Sequence, residues 1–465
     1  MEHLLAQARL DRNQHAARLY RHVLAQLVCL GTHTVTGLIS VCGGQFRDWS
    51  ADYRMYERAR VDPQALFDVV RRQVCAAQHG PITAALDDTR LTKTGRKVHG
   101  AKYMRDPMGP AFHVNFIRAQ RFVQTSMALP GQDGQARMIP VDWRHAPMPG
   151  KPNKQADAEQ WAHYQHERAQ ARIGCVGAEQ IQGLRQWMND NGQAQRPLWV
   201  SVDGGYTNSA VLKNLPANTV LTGRIRADAK LYHLPEDQPA KGRRRVYGDR
   251  APTPEQLRKD DAQPWRTVTV YFGGQPRALR AKRLAPLRWQ SAGAEHDLQL
   301  IVLAPTPYRL SPNSKLLYRN PAYIICTDPS APLEDVIQRY LWRWDIEVNF
   351  RDQKTILGLG DAQVRNPNAV QNLTATAVAA YAMLLLAAQQ CQQNGVNTQH
   401  LPNPKWRRKP PRRATTMDLI KNLRHELWAR SIYFSGFANK QTQNTNPKKY
   451  VPKLQNALFY ASHYT

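Results

Sequence analysis

The chain is 465 residues long and carries 64 Lys and Arg against 36 Asp and Glu, a net charge of +28 with a pI near 10.1. That excess favours a polyanionic partner, DNA or RNA, and a hydrophobic content of 42% excludes disorder along the whole length. Six scattered cysteines, Cys29, Cys42, Cys75, Cys175, Cys326 and Cys391, form no CxxC or other close pair, which argues against a disulfide framework or structural zinc and for buried thiols in a reducing cytoplasm.

Met1 to Asn13 mixes acidic, basic and apolar residues and predicts no leader segment. Leu5 to Leu30 reads as helix, Gly31 interrupts it, and Thr34 to Val41 reads as a short helix stopped by Gly43 and Gly44. Ser50 is positioned to cap a helix through Arg58, and Asp62 with Pro63 forms a cap and first-turn pair for a helix through Val74. Arg9, Arg12, Arg18, Arg21, Arg54, Arg58, Arg60, Arg71 and Arg72 lie along these helices. They fit a DNA-reading module or, more plainly, the solvated surface of a helical bundle, and no recognition helix stands out.

From Pro81 the texture changes. ITAALDDT sets Ile82, Ala84, Leu86 and Asp88 on one side of a strand, with Asp87 on the other side or entering a turn. Strand-like pieces follow at Phe112 to Ile117, Phe122 to Leu129 and Met138 to Asp142, then helices over Asp157 to Ile173 and Ala178 to Asn189. Leu198 to Asp203 is an apolar run ending in an acid before Gly204 and Gly205. Open α/β sheets present ligands at such strand ends, although Asp before Gly is also ordinary turn chemistry.

In YLWRWDIEVNFRDQK, Tyr340, Arg343, Glu347 and Lys354 fall within roughly 60° of one another on a continuous helix that advances about 100° per residue. A second row, Ile337, Leu341, Trp344 and Val348, has the spacing of a face pressed on a core. An acid among cations can hold a divalent metal while the cations grip phosphate, which suits cutting or joining a nucleic-acid backbone; the plain alternative is a solvated helix face with ordinary ion pairs. Two strand acids and one helix acid meeting at a sheet edge can hold two magnesium ions about 4 Å apart. Beyond, Ala375 to Ala388 is shorter than the roughly 20 apolar residues of a membrane span and reads as a buried core helix. Lys405 to Arg413 (KWRRKPPRR) reads as a basic linker, and Met417 to Ser431 as one more helix.

The Asp of DDT, the Asp of SVDGGYTN and the Y-x2-R-x3-E-x6-K pattern together resemble the DDE insertion-sequence transposases that bear the Tyr-Arg-Glu-Lys signature, from about Asp48 to about Leu386. The resemblance implies an α/β fold with a ribonuclease-H-like catalytic core. It also implies divalent metal, Mg²⁺ or Mn²⁺ as two ions, and cutting and rejoining of double-stranded DNA at transposon-end inverted repeats and target DNA. A homodimer in the DNA complex goes with this. By the resemblance Asp88, Asp203 and Glu347 are the metal-binding triad, and Tyr340, Arg343 and Lys354 contact the DNA backbone near the cleavage point. The Thr that follows selects Asp88, and only strand register separates it from Asp87.

The 144 positions from Asp203 to Glu347 exceed a bare strand-to-helix connection. Relatives with the signature place a mostly β insertion there, and Thr219 to Ile225, Thr267 to Phe272, Gln299 to Leu303 and Tyr323 to Thr327 are candidate strands. Basic loops at Lys241 to Arg245 and Arg277 to Arg283 would touch phosphates, and Trp289 is either core or a base contact. The expected organisation is a helical DNA-binding region over 1–80, a first core part over 81–212, a β-rich insertion over 213–328, a second core part over 329–395 and a basic C-terminal region over 396–465. No membrane segment is expected, and the implied setting is a bacterial cytoplasm, at the nucleoid when bound to DNA. His163, His166 and Glu167 share helical spacing without a third His or Cys, so they read as an exposed face rather than a zinc site. No nucleotide-binding glycine loop and no nucleophile elbow appear. Two other readings stand beside the transposase: a transposase-derived DNA-binding protein without catalysis, and a ribonuclease-H-like nuclease that cuts without joining.

Overall fold

The computed structural model describes residues 1–8, 14–46, 48–110, 112–131, 134–237, 242–311, 313–393 and 413–429. Arg9, Arg12, Lys241 and the basic run Lys405 to Arg412 lie outside the described residues. Helices α1 (Glu2–Gln7), α2 (Gln14–Val28), α3 (Val35–Val41), α4 (Ser50–Glu57) and α5 (Gln64–Ala76) open the chain. Strands β1 (Ile82–Thr92), β2 (Lys102–Arg105), β3 (Phe116–Pro130) and β4 (Ala136–His145) follow, then α6 (Ala158–Gln170), α7 (Ile173–Asp190), β5 (Leu198–Val202), α8 (Ser209–Leu212) and β6 (Thr219–Arg224). Next come β7 (Leu231–His233), α9 (Pro254–Lys259), β8 (Arg266–Phe272), β9 (Gln275–Trp289), β10 (Gly293–Leu303), β11 (Pro307–Tyr308), β12 (Leu317–Tyr318) and β13 (Ala322–Cys326). Helices α10 (Leu333–Trp342), α11 (Asp345–Thr355), α12 (Pro367–Gln393) and α13 (Thr416–Ala429) complete it.

Two compact units divide these elements. One comprises Met1–Val70, Leu91–Ala119 and Phe350–Thr465, the other Arg71–Arg90 and Gln120–Asn349. In the first, α2, α4 and α13 pack on α12. Helix α12 is long and apolar enough to cross a membrane, but 94% of its apolar window is buried, as in the core helix of a bundle. The helix expected over Thr34 to Val41 is α3, with Thr34 as its cap rather than its first residue: the Thr34 side chain accepts from Gly37 N–H. Ser50 does not cap α4: it is the first helical residue, and the Asp48 carboxylate accepts from its N–H and hydroxyl.

The second unit is built on one mixed sheet in the order β4-β3-β1-β5-β6-β13-β10-β9, with β7 and β8 both pairing β9. Strands β1, β5 and β6 are parallel, and β5 (LWVSV) is buried at every residue, which is why it reads as a continuous apolar run. Phe112 to Ile117 is not a strand of its own: its last two residues begin the long β3. Arg277 to Arg283 is not a loop but the middle of β9. Gly273 and Gly274, both at positive φ, make a two-residue turn closed by the Phe272–Gln275 pair, and the arginines continue the ladder back. Trp289 ends β9, half-buried and paired with Leu231 and Gly293.

Helix α10 lies on this sheet through Leu333, Val336 and Ile337, with Tyr340 and Leu341 partly buried, against Trp199, Val268, Val270, Ile301 and Ile324. The helix expected to run unbroken from Tyr340 to Lys354 is two helices. At Arg343 and Trp344 the bonds tighten to i→i−3, with Arg343 N–H on Tyr340 O at 3.2 Å and Trp344 N–H on Leu341 O at 3.2 Å. Helix α11 then starts on contacts with β4. Asp345 accepts from Met138 N–H at 2.9 Å and Asn349 donates to Met138 O at 2.8 Å, so both backbone groups of one strand residue are gripped. The break turns Trp344 outward, 54% exposed, and removes it from the expected core row. Ile337→Ala is therefore expected to cost about 2–5 kcal/mol and Trp344→Ala less than about 1 kcal/mol. Denaturant midpoints of the two variants check the order, and a larger loss at Trp344 would return that residue to the core.

Candidate active site

The parallel register of β1 and β5 pairs Thr83 with Trp199, Ala85 with Ser201 and Leu86 with Val202. Continued by one residue, it sets Asp87 beside Asp203, just past the end of β5. Alternation along β1 then puts Thr83, Ala85 and Asp87 on one face and Leu86 and Asp88 on the other. The first face carries α10: Arg339 donates to Thr83 Oγ1, and Ser201 donates to the Arg339 carbonyl at 3.3 Å. The opposite face carries α7.

On the α10 face the turn between α10 and α11 delivers Arg343. Its Nη1 lies 3.0 Å from Asp87 Oδ2 and its Nη2 3.3 Å from Glu347 Oε1, so one guanidinium bridges two acids. The cation also sits 5.8 Å from the Tyr340 ring centroid. Burial pushes the Asp87 carboxyl up to about 7; Arg343 opposes this, and Asp203 and Asp88 add to it. Glu347 is raised by burial and by Asp203, against the pull of Arg343. Burial works against the Arg343 charge too, but Tyr340 and the acids outweigh it, and its pKa is raised.

Asp203 is held by its own loop. Gly205 N–H donates to its Oδ1 at 2.8 Å, and the Thr207 hydroxyl donates to its carbonyl at 2.8 Å. Glycines make room here: a Cβ on Gly223 would stand 2.2 Å from Thr207 Oγ1.

Asp88 has a different neighbourhood. Tyr206, buried under Gly177 of α7, donates to Asp88 Oδ1 at 3.4 Å. Burial raises the Asp88 pKa, Arg121 and Arg90 pull it down, and Asp203 adds to the rise, so Asp88 remains within electrostatic reach of the acid cluster. Arg121 is itself tied to the carbonyls of Ala146 at 3.0 Å and Ala171 at 2.6 Å. A Cβ on Gly177 would lie 2.5 Å from the Tyr206 ring, whereas one on Gly183 of the same helix meets nothing within 4 Å. Gly177→Ala is expected to cost about 1–3 kcal/mol by displacing Tyr206, and Gly183→Ala to add roughly 0.5–1 kcal/mol through helix propensity. Thermal unfolding of the pair checks this, and equal effects would remove the Tyr206 packing argument.

Of the sequence-predicted residues, Asp203, Glu347, Arg343 and Tyr340 thus come together, joined by Asp87. Asp88 points to the other face, a difference that only the pairing with β5 decides. Lys354 is an exposed residue near the end of α11. Arg121 and Tyr206 carried no sequence signal. His163 pairs with Glu167 at 3.3 Å on exposed α6 and His166 with Gln170, in keeping with the plain reading of that segment.

Acids at the C-terminal ends of neighbouring parallel strands, with a helix acid beside them, are an arrangement whose chemistry suits a nuclease on an α/β sheet. The DDE superfamily endonuclease model matches residues 6–282, more than half of the chain, and the protein belongs to that family. The large mixed sheet with its helices accords with the ribonuclease-H-like fold of DDE enzymes. No curated protein matches the sequence. DDE endonucleases act on DNA and use divalent metal ions. The match ends before α10, so Glu347 enters the site on geometry alone.

The donors fit such an ion in kind. Asp87, Asp203 and Glu347 are all oxygen ligands, and two of them have raised pKa values that a cation would relieve. Among the described residues no three potential ligands stand close enough to form a ready metal cluster. The Arg343 guanidinium lies between Asp87 and Glu347, and its Nε is buried without a hydrogen-bond partner.

Proposed function

We propose that the protein is the transposase of an insertion sequence, which cuts DNA at the ends of its element and joins the freed ends to target DNA. The observation that carries this reading is the meeting of Asp87, Asp203 and Glu347 around one arginine at the parallel strand ends. In this reading Asp87, Asp203 and Glu347 hold two divalent ions, Mg²⁺ or Mn²⁺. When bound, the ions stabilise charge on the attacking and leaving oxygens of an in-line phosphodiester displacement.

The chain's own residues do the rest. Water first displaces the 3′ oxygen of the transposon end, and the resulting 3′-hydroxyl then attacks a target phosphodiester. Arg343 opposes protonation of Asp87 and Glu347 before the ions bind, a role its short contacts support better than the phosphate contact the signature implies. Tyr340 closes the site beside it, and Lys354 contributes a cation for the DNA backbone. Asp88 positions β1 through Tyr206. We assign the helices of 1–80 to DNA binding, 213–328 to an insertion in the catalytic core, and the working form to a homodimer on paired ends in a bacterial cytoplasm.

A strand-transfer assay tests this with the purified protein, Mg²⁺, DNA from the flanks of the coding region and a supercoiled target. Joined products are the expected result. Cleavage without joining would favour the nuclease, and binding without cleavage an inactive derivative.

A further inference from the structure

Five of the large apolar side chains that face solvent among the described residues fall in one short stretch. Tyr103 is 76% exposed, Met108 89%, Phe112 93% and Phe116 61%, with Val114 also exposed. An apolar patch of this kind marks a surface that meets a partner. The stretch is the β2–β3 hairpin, and its base is firmly held. Lys93 Nζ donates to the carbonyls of Gly360 and Ala362, both at 2.7 Å. The Gln363 side-chain oxygen accepts from the N–H groups of Thr94 and Gly95. Arg118 ties the two sides together through the carbonyls of Gly95, Arg96 and Ala101.

The outer end is braced from within. Asp106, the single acid between Thr94 and Ala119, accepts from Met108 N–H at 2.9 Å and from Asn115 Nδ2 at 3.3 Å. Against that one acid stand Arg96, Lys97, Lys102 and Arg105, so the stretch is net positive by sequence. The ladder pairs Tyr103 with Arg118 and Arg105 with Phe116, so Tyr103, Arg105 and Phe116 share one face. An anchored basic arm with aromatic residues set among its cations and an apolar end has the chemistry of a wedge that enters a groove of DNA.

We infer that this hairpin is a DNA wedge: Met108 and Phe112 press into a base step of duplex DNA while Lys97, Lys102 and Arg105 hold the flanking phosphates. Charge complementarity selects DNA over a second copy of this chain, which carries the same positive sign. The inference rests on the reading of the protein as one that acts on DNA, and adds a contact that distorts it. Pyrimidine–purine steps unstack most readily and are the expected sites of entry.

The test uses the full chain and a mixed-sequence duplex of about 30 base pairs with 2-aminopurine in place of adenine at its TA steps. Wild-type protein should raise the 2-aminopurine fluorescence. The double variant Met108→Ser/Phe112→Ser should lose most of that rise and bind about 10-fold more weakly. Lys102→Ala/Arg105→Ala should keep the rise but lower the salt dependence of binding by about 0.9 per lost contact. Met108, Phe112 and Arg105 are exposed and Lys102 is half-buried, and unfolding midpoints matching wild type confirm an intact fold. A double variant that binds and unstacks DNA like wild type overturns the wedge, and the transposase reading survives if wild type still cuts. Loss of self-association by light scattering with unchanged DNA binding also overturns it, in favour of a second copy. Wild type that binds no duplex at all sinks the wedge and the DNA reading together.

Discussion

Asp87→Asn is expected to lower the rate of DNA cleavage by at least about 10³-fold, while Asp88→Asn retains measurable cleavage. Both replacements keep side-chain shape, so the difference isolates charge at two neighbouring positions on opposite faces of β1. Asp87 lies on the face of Asp203 and Glu347 and within 3.0 Å of Arg343, whereas Asp88 receives the Tyr206 hydroxyl. Asp87→Asn should also change how stability depends on pH. A carboxyl raised to about 7 in the folded protein takes up a proton more readily than in the unfolded chain. Stability in metal-free buffer therefore falls as pH rises from the ordinary carboxylate range through about 7. The Asn variant should lack that fall. Rates in Mg²⁺ and melting curves in chelator check the two halves. Full activity of the Asp87 variant with loss of activity at Asp88 would restore the assignment that the signature implies.

Removing Arg343 should have the largest effect on stability. Arg343→Ala leaves Asp87 and Glu347 without their shared counter-charge, and breaking a buried pair from one side costs about 3–5 kcal/mol. In chelator the variant should melt well below wild type. Mg²⁺ or Mn²⁺ offers the same acids another cation, so the melting temperature of the variant should rise further on adding metal than that of wild type. Asp203→Asn provides the control, since loss of a ligand should shrink the metal-linked rise. A variant that melts alike with and without metal would remove the carboxylates from consideration as a metal site.

How much of this was readable in the chain depends on the range of the interactions that decide each feature. The run Leu198 to Asp203 reads correctly because a central parallel strand buries both faces and needs no partner to be recognised. The apolar core helix within α12 reads for the same reason. The break at Arg343 does not, because the residues that anchor α11 are bonded to Met138, about two hundred positions earlier. Periodicity alone extends a helix straight through such a place. The strand over Thr267 to Phe272 reads correctly, whereas Arg277 to Arg283 reads as a loop because of its density of arginines although it continues the β8–β9 ladder. Cations on a two-stranded arm obey the same pleat as any other side chain. The choice between Asp87 and Asp88 falls between these cases: alternation shows that they part, and only the pairing of β1 with β5 shows which one meets Asp203.

The first unit draws on three separate stretches of chain, and α2 finds its main packing partner in α12. More than three hundred residues separate the two helices in sequence. A ribosome adding about 5–20 residues per second needs tens of seconds to cover that distance. The N-terminal helices must wait through this interval with their apolar faces uncovered. A fragment cut at residue 80 would lack the α12 face on which α2 and α4 pack. The arrangement also delays assembly: no nascent chain can finish this bundle before the stretch that carries α12 has been made.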